Sequence, residues 1–433
     1  MASALHTSCT PSKLISKCRL LAQAPAGVVC VPSRGMKLKE YKEVAKDIRG
    51  VPYNKDPWPY ETKKYRWYHS FFNIDKTVHR LDENSKVIVV EGNIGVGKTT
   101  LAKNLAELLG MKYLPEPGFP DYYDWLVGLD PRKYADRLGP TTQHFEVEEF
   151  YRNPHHMLVA RFQITKYIAR YYQYCNALLH LFSTGQGIIM ERSAYSDFIF
   201  VEAMVEKGYM GRPARQFYYE IKSNTIQDLM RPHCIIYLDA TVDTCLERIK
   251  KRGLEHEVNS EVLTPEYLQM IESGYKDKLL KQLEPFTEII VYDWTKPADA
   301  EVVAEDLEKV PFDKVRYYYE PMFRDWRETY QDSDWDELRY KYSSWKKWAR
   351  THSDVTETYG ADEVWQTSAD NGKLRAVLDE IEREGSPYYT KPGSSFMEHL
   401  RTAFLPRKDA ASDTKVIERR AAEDTIRTPG IKV

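Results

Sequence analysis

The stretch EGNIGVGKTT, residues 91–100, constrains the fold of this chain more than any other segment. It sets Gly92, Gly97, Lys98 and Thr99 in the G-x-x-x-x-G-K-S/T spacing of a phosphate-binding loop. Glycines at such points let the backbone wrap an anion with its N–H groups turned inward. The expected phosphate-binding set is therefore Gly92, Asn93, Ile94, Gly95, Val96, Gly97, Lys98, Thr99 and Thr100, with Lys98 reaching the outer phosphates and Thr99 holding magnesium. The flanks agree with this assignment. KVIVV (residues 86–90) reads as a short, buried parallel strand, and TTLAKNLAELLG (99–110) as a helix closed by glycine. The partial positive charge at the start of that helix adds to anion binding.

Downstream, apolar runs at 112–114, 187–193, 234–239 and 288–293 alternate with helical spacings at 157–182, 215–229, 242–252 and 265–283. Strands separated by helices predict an α/β domain: a parallel sheet with helices on both faces, over residues 85–312. Ligands of such sheets bind beyond the carboxyl ends of the strands, which is where the loop, Glu116 and Glu191 fall. Residues 36–84 read as an N-terminal docking extension. The prolines at 52, 57 and 59 favour an extended path, and the aromatics suit packing along the core or against a partner. After residue 312 the alternation stops. Residues 317–350 interleave aromatics with charges, helices are expected at 334–350 and 373–383, and 313–433 reads as a C-terminal docking extension.

The first 39 residues contain no Asp or Glu but six Lys or Arg and many serines, the composition of a mitochondrial transit peptide, assigned to residues 1–35. A matrix protein in a reducing compartment is the resulting expectation. Cys175, Cys234 and Cys245, the cysteines left after such a leader, lack metal-ligand or C-x-x-C spacing. The net charge of −2 argues against a nucleic-acid partner, and no run approaches the ~18 apolar residues of a membrane span.

Four motifs in order make residues 86–293 resemble the deoxyribonucleoside kinase family: the loop itself, PEP at 115–117, ARFQ at 160–163 and ERSAYSD at 191–197. The resemblance implies a phosphotransfer site in which Glu116 is the base, Lys98 and Arg192 clamp the phosphoryl group, and Thr99 and Glu191 organise Mg2+. Such chemistry needs a base at the sugar hydroxyl, a cation clamp and a bridging metal. The resemblance further implies base contacts from Gln163, Arg170 and Asp197, a sugar contact from Glu257, and lid arginines at Arg248 and Arg252. One lid position departs from the family pattern, since Leu254 stands where the kinases carry a further arginine. A leucine cannot stabilise charge on a transferring phosphoryl group, and losing one such donor costs on the order of 10²-fold in rate.

With its two extensions, the whole chain resembles the nucleoside-kinase-like accessory subunits of mitochondrial NADH:ubiquinone oxidoreductase, respiratory complex I. That second resemblance implies partners among the complex I subunits, a peripheral matrix-side location, and a role in assembly or stability with no electron transfer. It also implies a bound nucleotide: ATP or a deoxynucleotide with Mg2+, or FAD. Two alternatives stay open on the sequence alone, an active mitochondrial deoxynucleoside kinase and an RNA-associated P-loop protein.

Overall fold

The structure, a computed structural model, describes residues 56–72, 75–121, 131–312, 321–327, 332–355 and 360–383. The expected leader and the polar tail after residue 386 lie outside these residues. Five strands, β1 (Val87–Gly92), β2 (Lys112–Leu114), β3 (Ile188–Glu191), β4 (Cys234–Asp239) and β5 (Glu288–Asp293), form one sheet in the order β2-β3-β1-β4-β5. All four pairings are parallel. Central strands of a parallel sheet are covered on both sides, which explains their unbroken apolar character; every residue of β1 and β3 is buried.

The main helices are α1 (Trp67–Phe71), α2 (Lys98–Leu109), α3 (Val159–Thr184), α4 (Phe198–Glu206), α5 (Arg212–Thr225), α6 (Val242–Arg252), α7 (Pro265–Ser273), α8 (Ala300–Lys309), α9 (Asp332–Ser343), α10 (Trp345–His352) and α11 (Ser368–Arg383). Left-handed glycines bound α2, with Gly97 at φ +103° before it and Gly110 at +65° after it. The first turn of α6 is capped by Thr241, whose hydroxyl accepts from the Thr244 N–H, and its last turn carries Lys250, Lys251 and Arg252, which complement the helix dipole.

Two expected helices are interrupted. The one expected over 265–283 widens after α7 into a π-helical segment, Gly274–Leu279. It widens where the backbone presses on α4, because a Cβ at Gly274 would come within 2.6 Å of Ile199 Cγ2. The helix expected over 334–350 is divided at Ser344, which leaves helical geometry at φ −114°, ψ 14°. The break turns Trp345 onto α3, where its indole N–H donates to Asn176 Oδ1 at 2.8 Å.

The described part of the N-terminal segment is not simply extended, since it contains α1 and a 3-10 turn, Thr77–Arg80. It lies along α3: the Trp58 N–H donates to the Ser183 carbonyl (2.9 Å), and the Tyr60 hydroxyl meets His180 Nδ1 (3.0 Å). From the far end of the chain α9 closes over it. The Thr77 hydroxyl donates to Asp336 (2.6 Å), and the fully buried Arg339 stacks over Tyr65 while reaching Asp75 (2.9 Å). On the outer side Trp67, Phe71 and Phe72 stand 59%, 72% and 64% exposed, in ring-to-ring contact with one another.

All of these elements except α11 belong to one compact unit, built from described residues of Met1–Val127 and His144–Trp365; a second unit is built from described residues of Gly128–Gln143 and Gln366–Val433. Within the second unit, Asp370 near the start of α11 accepts from both the N–H and the hydroxyl of Thr141 (3.0 and 2.6 Å). Among the described residues no helix is long and apolar enough to cross a membrane.

Candidate functional site

β1 runs out of the sheet directly into the glycine loop. Gly92, Gly95 and Gly97 all adopt positive φ, and a Cβ at Gly92 would lie 2.8 Å from the Leu238 carbonyl oxygen of β4, so the turn is closed to other residues. Val96 points into the core, Ile94 is half-buried, and Thr99 and Thr100 are exposed at the start of α2. Asn93 braces the loop by donating to the Leu268 carbonyl (3.0 Å) and accepting from the Ile94 N–H (2.8 Å).

Lys98 is buried and folds back over the loop, donating to the carbonyls of Asn93 (2.7 Å) and Gly92 (3.3 Å). Burial, reinforced by the nearby Arg192, pulls its amine down to about 7. Thr99 Oγ1 donates to Glu191 Oε2 at 2.8 Å, joining the start of α2 to the end of β3, while Tyr113 donates to the other oxygen of the same carboxylate. One hydroxyl and one carboxylate suit Mg2+, an ion that takes one or two protein carboxylates and completes its octahedron with water and substrate phosphates.

The lid-like segment starts within α6, which carries both Arg248 and Arg252. Its arginines are both engaged with protein: Arg248 donates to the carbonyls of Val96 (2.8 Å), Trp294 (2.8 Å) and Thr295 (3.0 Å), and Arg252 donates two hydrogen bonds to the Glu257 carboxylate (2.8 and 2.7 Å). Leu254 is 41% exposed at the entry to the short helix Glu255–Val258. Glu257 also lies beside Tyr151, whose hydroxyl is pushed up by burial and by that carboxylate.

At the other end of the site the structure brings Gln163, Arg170 and Asp197 together. Gln163 Nε2 donates to Asp197 Oδ2 (3.1 Å), and Arg170 pairs with the other oxygen of the fully buried Asp197. The second arm of Arg170 holds Glu116 Oε1 at 2.5 Å, Arg192 Nε lies 3.1 Å from Glu116 Oε2, and Lys166 Nζ is 3.5 Å away. Burial pushes the Glu116 carboxyl up, but Lys166, Arg170 and Arg192 outweigh it and hold the group well below the usual carboxylate range. Arg192 itself sits at φ +58°, a left-handed conformation rare for a long side chain, with its guanidinium 4.7 Å above the Phe200 ring.

Several contributors were not among the expected site residues. Lys166 donates to the Pro117 carbonyl (3.1 Å) and Gln173 to the Pro115 carbonyl (2.5 Å), so α3 grips the backbone on both sides of Glu116. Gln163, Lys166, Arg170 and Gln173 follow a 3-4-3 spacing that places them on one face of α3, and that polar stripe was a legible signal. Tyr113, Tyr275 and Glu91 carried none, because their roles depend on contacts between distant elements.

A parallel sheet whose central strand ends in an anion loop, with a helix-borne Gln/Arg/Asp cluster facing a carboxylate, defines a P-loop nucleoside-kinase architecture. The chain belongs to the deoxynucleoside kinase family, which it matches over residues 88–316. It is 40% identical over 242 residues to the Mus musculus protein named NADH dehydrogenase (ubiquinone) 1 alpha subcomplex subunit 10, mitochondrial, covering 55% of this chain and 66% of the mouse protein. It is 38% identical to the Bos taurus protein of the same name, of which it covers 68%. Against the deoxyguanosine kinase of Dictyostelium discoideum the identity is 27%, over 53% of this chain and 72% of that enzyme. The chain thus spans just under two thirds of the length of the mouse relative.

Proposed function

We propose that this protein is an accessory, non-electron-transferring subunit of mitochondrial respiratory complex I, with a kinase-like core that binds a nucleotide and serves assembly or stability. The observation that carries the absence of turnover is the state of Glu116. A general base must accept a proton from the sugar hydroxyl, and a carboxylate gripped by Arg170, Arg192 and Lys166 is a weak base. Leu254 in place of a lid arginine acts in the same direction.

In this proposal the backbone of residues 92–100 and Lys98 hold the phosphates, with Arg248 and Arg252 beside them, and Thr99 and Glu191 hold Mg2+. Gln163, Arg170, Asp197 and Glu257 line the nucleoside end, and Glu116 and Arg192 occupy the catalytic positions of the family. FAD and ATP share the phosphate chemistry of the loop, and mass spectrometry of ligand released from native protein separates them. The division is a leader at 1–35, a docking extension at 36–84, the core at 85–312 and a second docking extension at 313–433, on the matrix side of the inner membrane. The similarity to subunits named for NADH dehydrogenase supports the assignment of partners. So does the exposed Trp67–Phe71–Phe72 face, an aromatic patch of the kind that packs against a neighbouring subunit.

Native-gel separation of mitochondrial membranes tests the assembly role. Migration with complex I is expected, and migration only as a small soluble species defeats it. Purified protein that phosphorylates deoxynucleosides at about 1 s⁻¹ or faster, an ordinary enzymatic rate, defeats the absence of turnover.

A further inference from the structure

Arg192 follows β3 and its N–H donates to the Val90 carbonyl of the neighbouring β1 at 3.1 Å, so its cation and that of Lys98 arise from adjoining strand ends. Lys98 is tied to loop carbonyls, so Arg192 needs tethers of its own. On one side it has Glu116. On the other, Arg192 Nη1 donates to the Tyr275 hydroxyl at 3.1 Å, and that hydroxyl donates to Glu91 Oε2 at 3.0 Å. Glu91, the residue just before Gly92 of the loop, also accepts from Ser193 Oγ at 3.0 Å through its other oxygen. Tyr275 and Glu91 are fully buried.

Tyr275 is delivered by the π-helical segment Gly274–Leu279. Such widened turns are rare and concentrate at functional sites. Here the widening starts where Gly274 meets Ile199, and the ring of Tyr275 packs against Tyr237 of β4 at a centroid distance of 5.4 Å. The strained backbone of Arg192, the π segment and the buried carboxylate therefore meet at one hydroxyl. Strain of this kind persists only where its surroundings over-determine it.

We propose that Tyr275 is a positioning residue of the nucleotide site: its hydroxyl ties Arg192 to the root of the phosphate loop, holding that cation beside Lys98 for a triphosphate. This rests on the nucleotide-binding reading of the core. Arg192 without Tyr275 is free to turn wholly onto Glu116, away from the loop.

The test is calorimetric titration of the full chain with Mg·ATP and, separately, with inorganic tripolyphosphate. Tyr275→Phe keeps the ring and removes the hydroxyl, and it is expected to weaken both ligands about tenfold, the effect of one hydrogen bond to a charged group. Arg192→Lys weakens them by a similar factor or more. A residue that acts through Arg192 gives a double variant no weaker than Arg192→Lys alone, whereas general loosening of the fold gives factors that multiply. Affinity unchanged in Tyr275→Phe, or multiplying factors, overturns the proposal. If Tyr275→Phe does not fold, Glu91→Gln supplies the reading: it weakens the acceptor that orients the hydroxyl, and binding should fall several-fold, with unchanged binding counting against the proposal. Wild-type protein that binds neither ligand removes the nucleotide site itself, and the role of Tyr275 with it.

Discussion

The two ends of the site satisfy their cations in opposite ways. At the phosphate loop, Lys98 and Arg248 donate to neutral backbone carbonyls, while Arg252, further along α6, is held by the Glu257 carboxylate. At the α3 end, Arg170 is held by two carboxylates, Asp197 and Glu116, and Glu116 in turn by three cations. A carbonyl is a weak partner that an incoming phosphate displaces at little cost, because the new contact is charged and the old one was not. A nucleoside arriving at the other end is neutral and must part ions that already satisfy each other. The loop is thus arranged to release its cations to an anion, whereas the Glu116 carboxylate is arranged to stay where it is. Under the proposed function this difference, more than any missing motif, is what separates binding from turnover.

The largest expected effect tests the charged end. Arg170→Met strips the compensating cation from Asp197, which is fully buried, and loosens Glu116. Breaking a buried pair from one side costs about 3–5 kcal/mol, which should appear in urea denaturation as a lowered midpoint at constant slope. A loss below about 1 kcal/mol would mean that the α3 end is not held by charge, and the comparison would fail. Lys98→Ala tests the neutral end. Its carbonyl partners belong to Gly92 and Asn93, which are buried, so losing the donor should cost about 1–3 kcal/mol, less than Arg170→Met, while Mg·ATP affinity falls about 10- to 100-fold, the worth of one or two charged hydrogen bonds. Complex I assembly of the same variant on native gels is expected to be intact, and failure to assemble would show the occupied loop to be structural.

How far this contrast was legible in the sequence follows from its physics. The loop was, because its chemistry is local: consecutive backbone N–H groups need glycines at fixed spacing, and Gly92, Gly97, Lys98 and Thr99 show it directly. The strands were too: burial on both faces writes an unbroken apolar run such as CIIYLD, which matches β4 residue for residue, and EIIVYD matches β5, the half-buried edge strand. The membership of the Gln163–Arg170–Asp197 cluster came through the family resemblance. Its closure onto Glu116 did not, because that depends on how the 115–117 segment docks against α3. Neither the π segment that carries Tyr275 nor the break at Ser344 leaves a local trace. Both arise from side chains of remote elements, Ile199 in one case and Asn176 in the other. The seating of Arg339 between the two extensions was equally hidden, joining positions more than 260 residues apart.

A smaller effect concerns pH at the loop. With its amine at about 7 in the folded chain, against 10.5 as its ordinary value, Lys98 is half neutral at pH 7 and must take up a proton to meet a phosphate. Affinity for Mg·ATP should therefore fall as pH rises from 7 to 8.5, on the order of tenfold, because the protonated fraction of the amine falls by about that factor, equivalent to about 1.4 kcal/mol. The linkage for folding has the opposite sign. Between pH 7 and 10.5 the unfolded chain binds the proton and the folded chain does not, so this group's contribution to stability grows as pH rises through that window and is lost as pH falls through 7. Lys98→Met should flatten both dependences, and a pH slope for binding that survives in Lys98→Met would assign the titration to another group.

The smallest effect is expected at Gln173, and its smallness is what sharpens the comparison. Gln173 Nε2 donates to the Pro115 carbonyl, but its own side-chain oxygen is buried without a partner. Gln173→Leu forfeits one neutral hydrogen bond, worth about 1 kcal/mol, and at the same time removes an orphaned acceptor whose burial costs a similar amount. The two changes nearly cancel, so the melting temperature should shift by no more than about 2 °C for a domain of this size. Mg·ATP affinity should not change, because Gln173 touches only the backbone before Glu116. If Gln173→Leu instead costs as much as Arg170→Met, then the grip of α3 on the 115–117 segment depends on neutral hydrogen bonds. The contrast between a carbonyl-held loop and a charge-held catalytic carboxylate would then have to be given up.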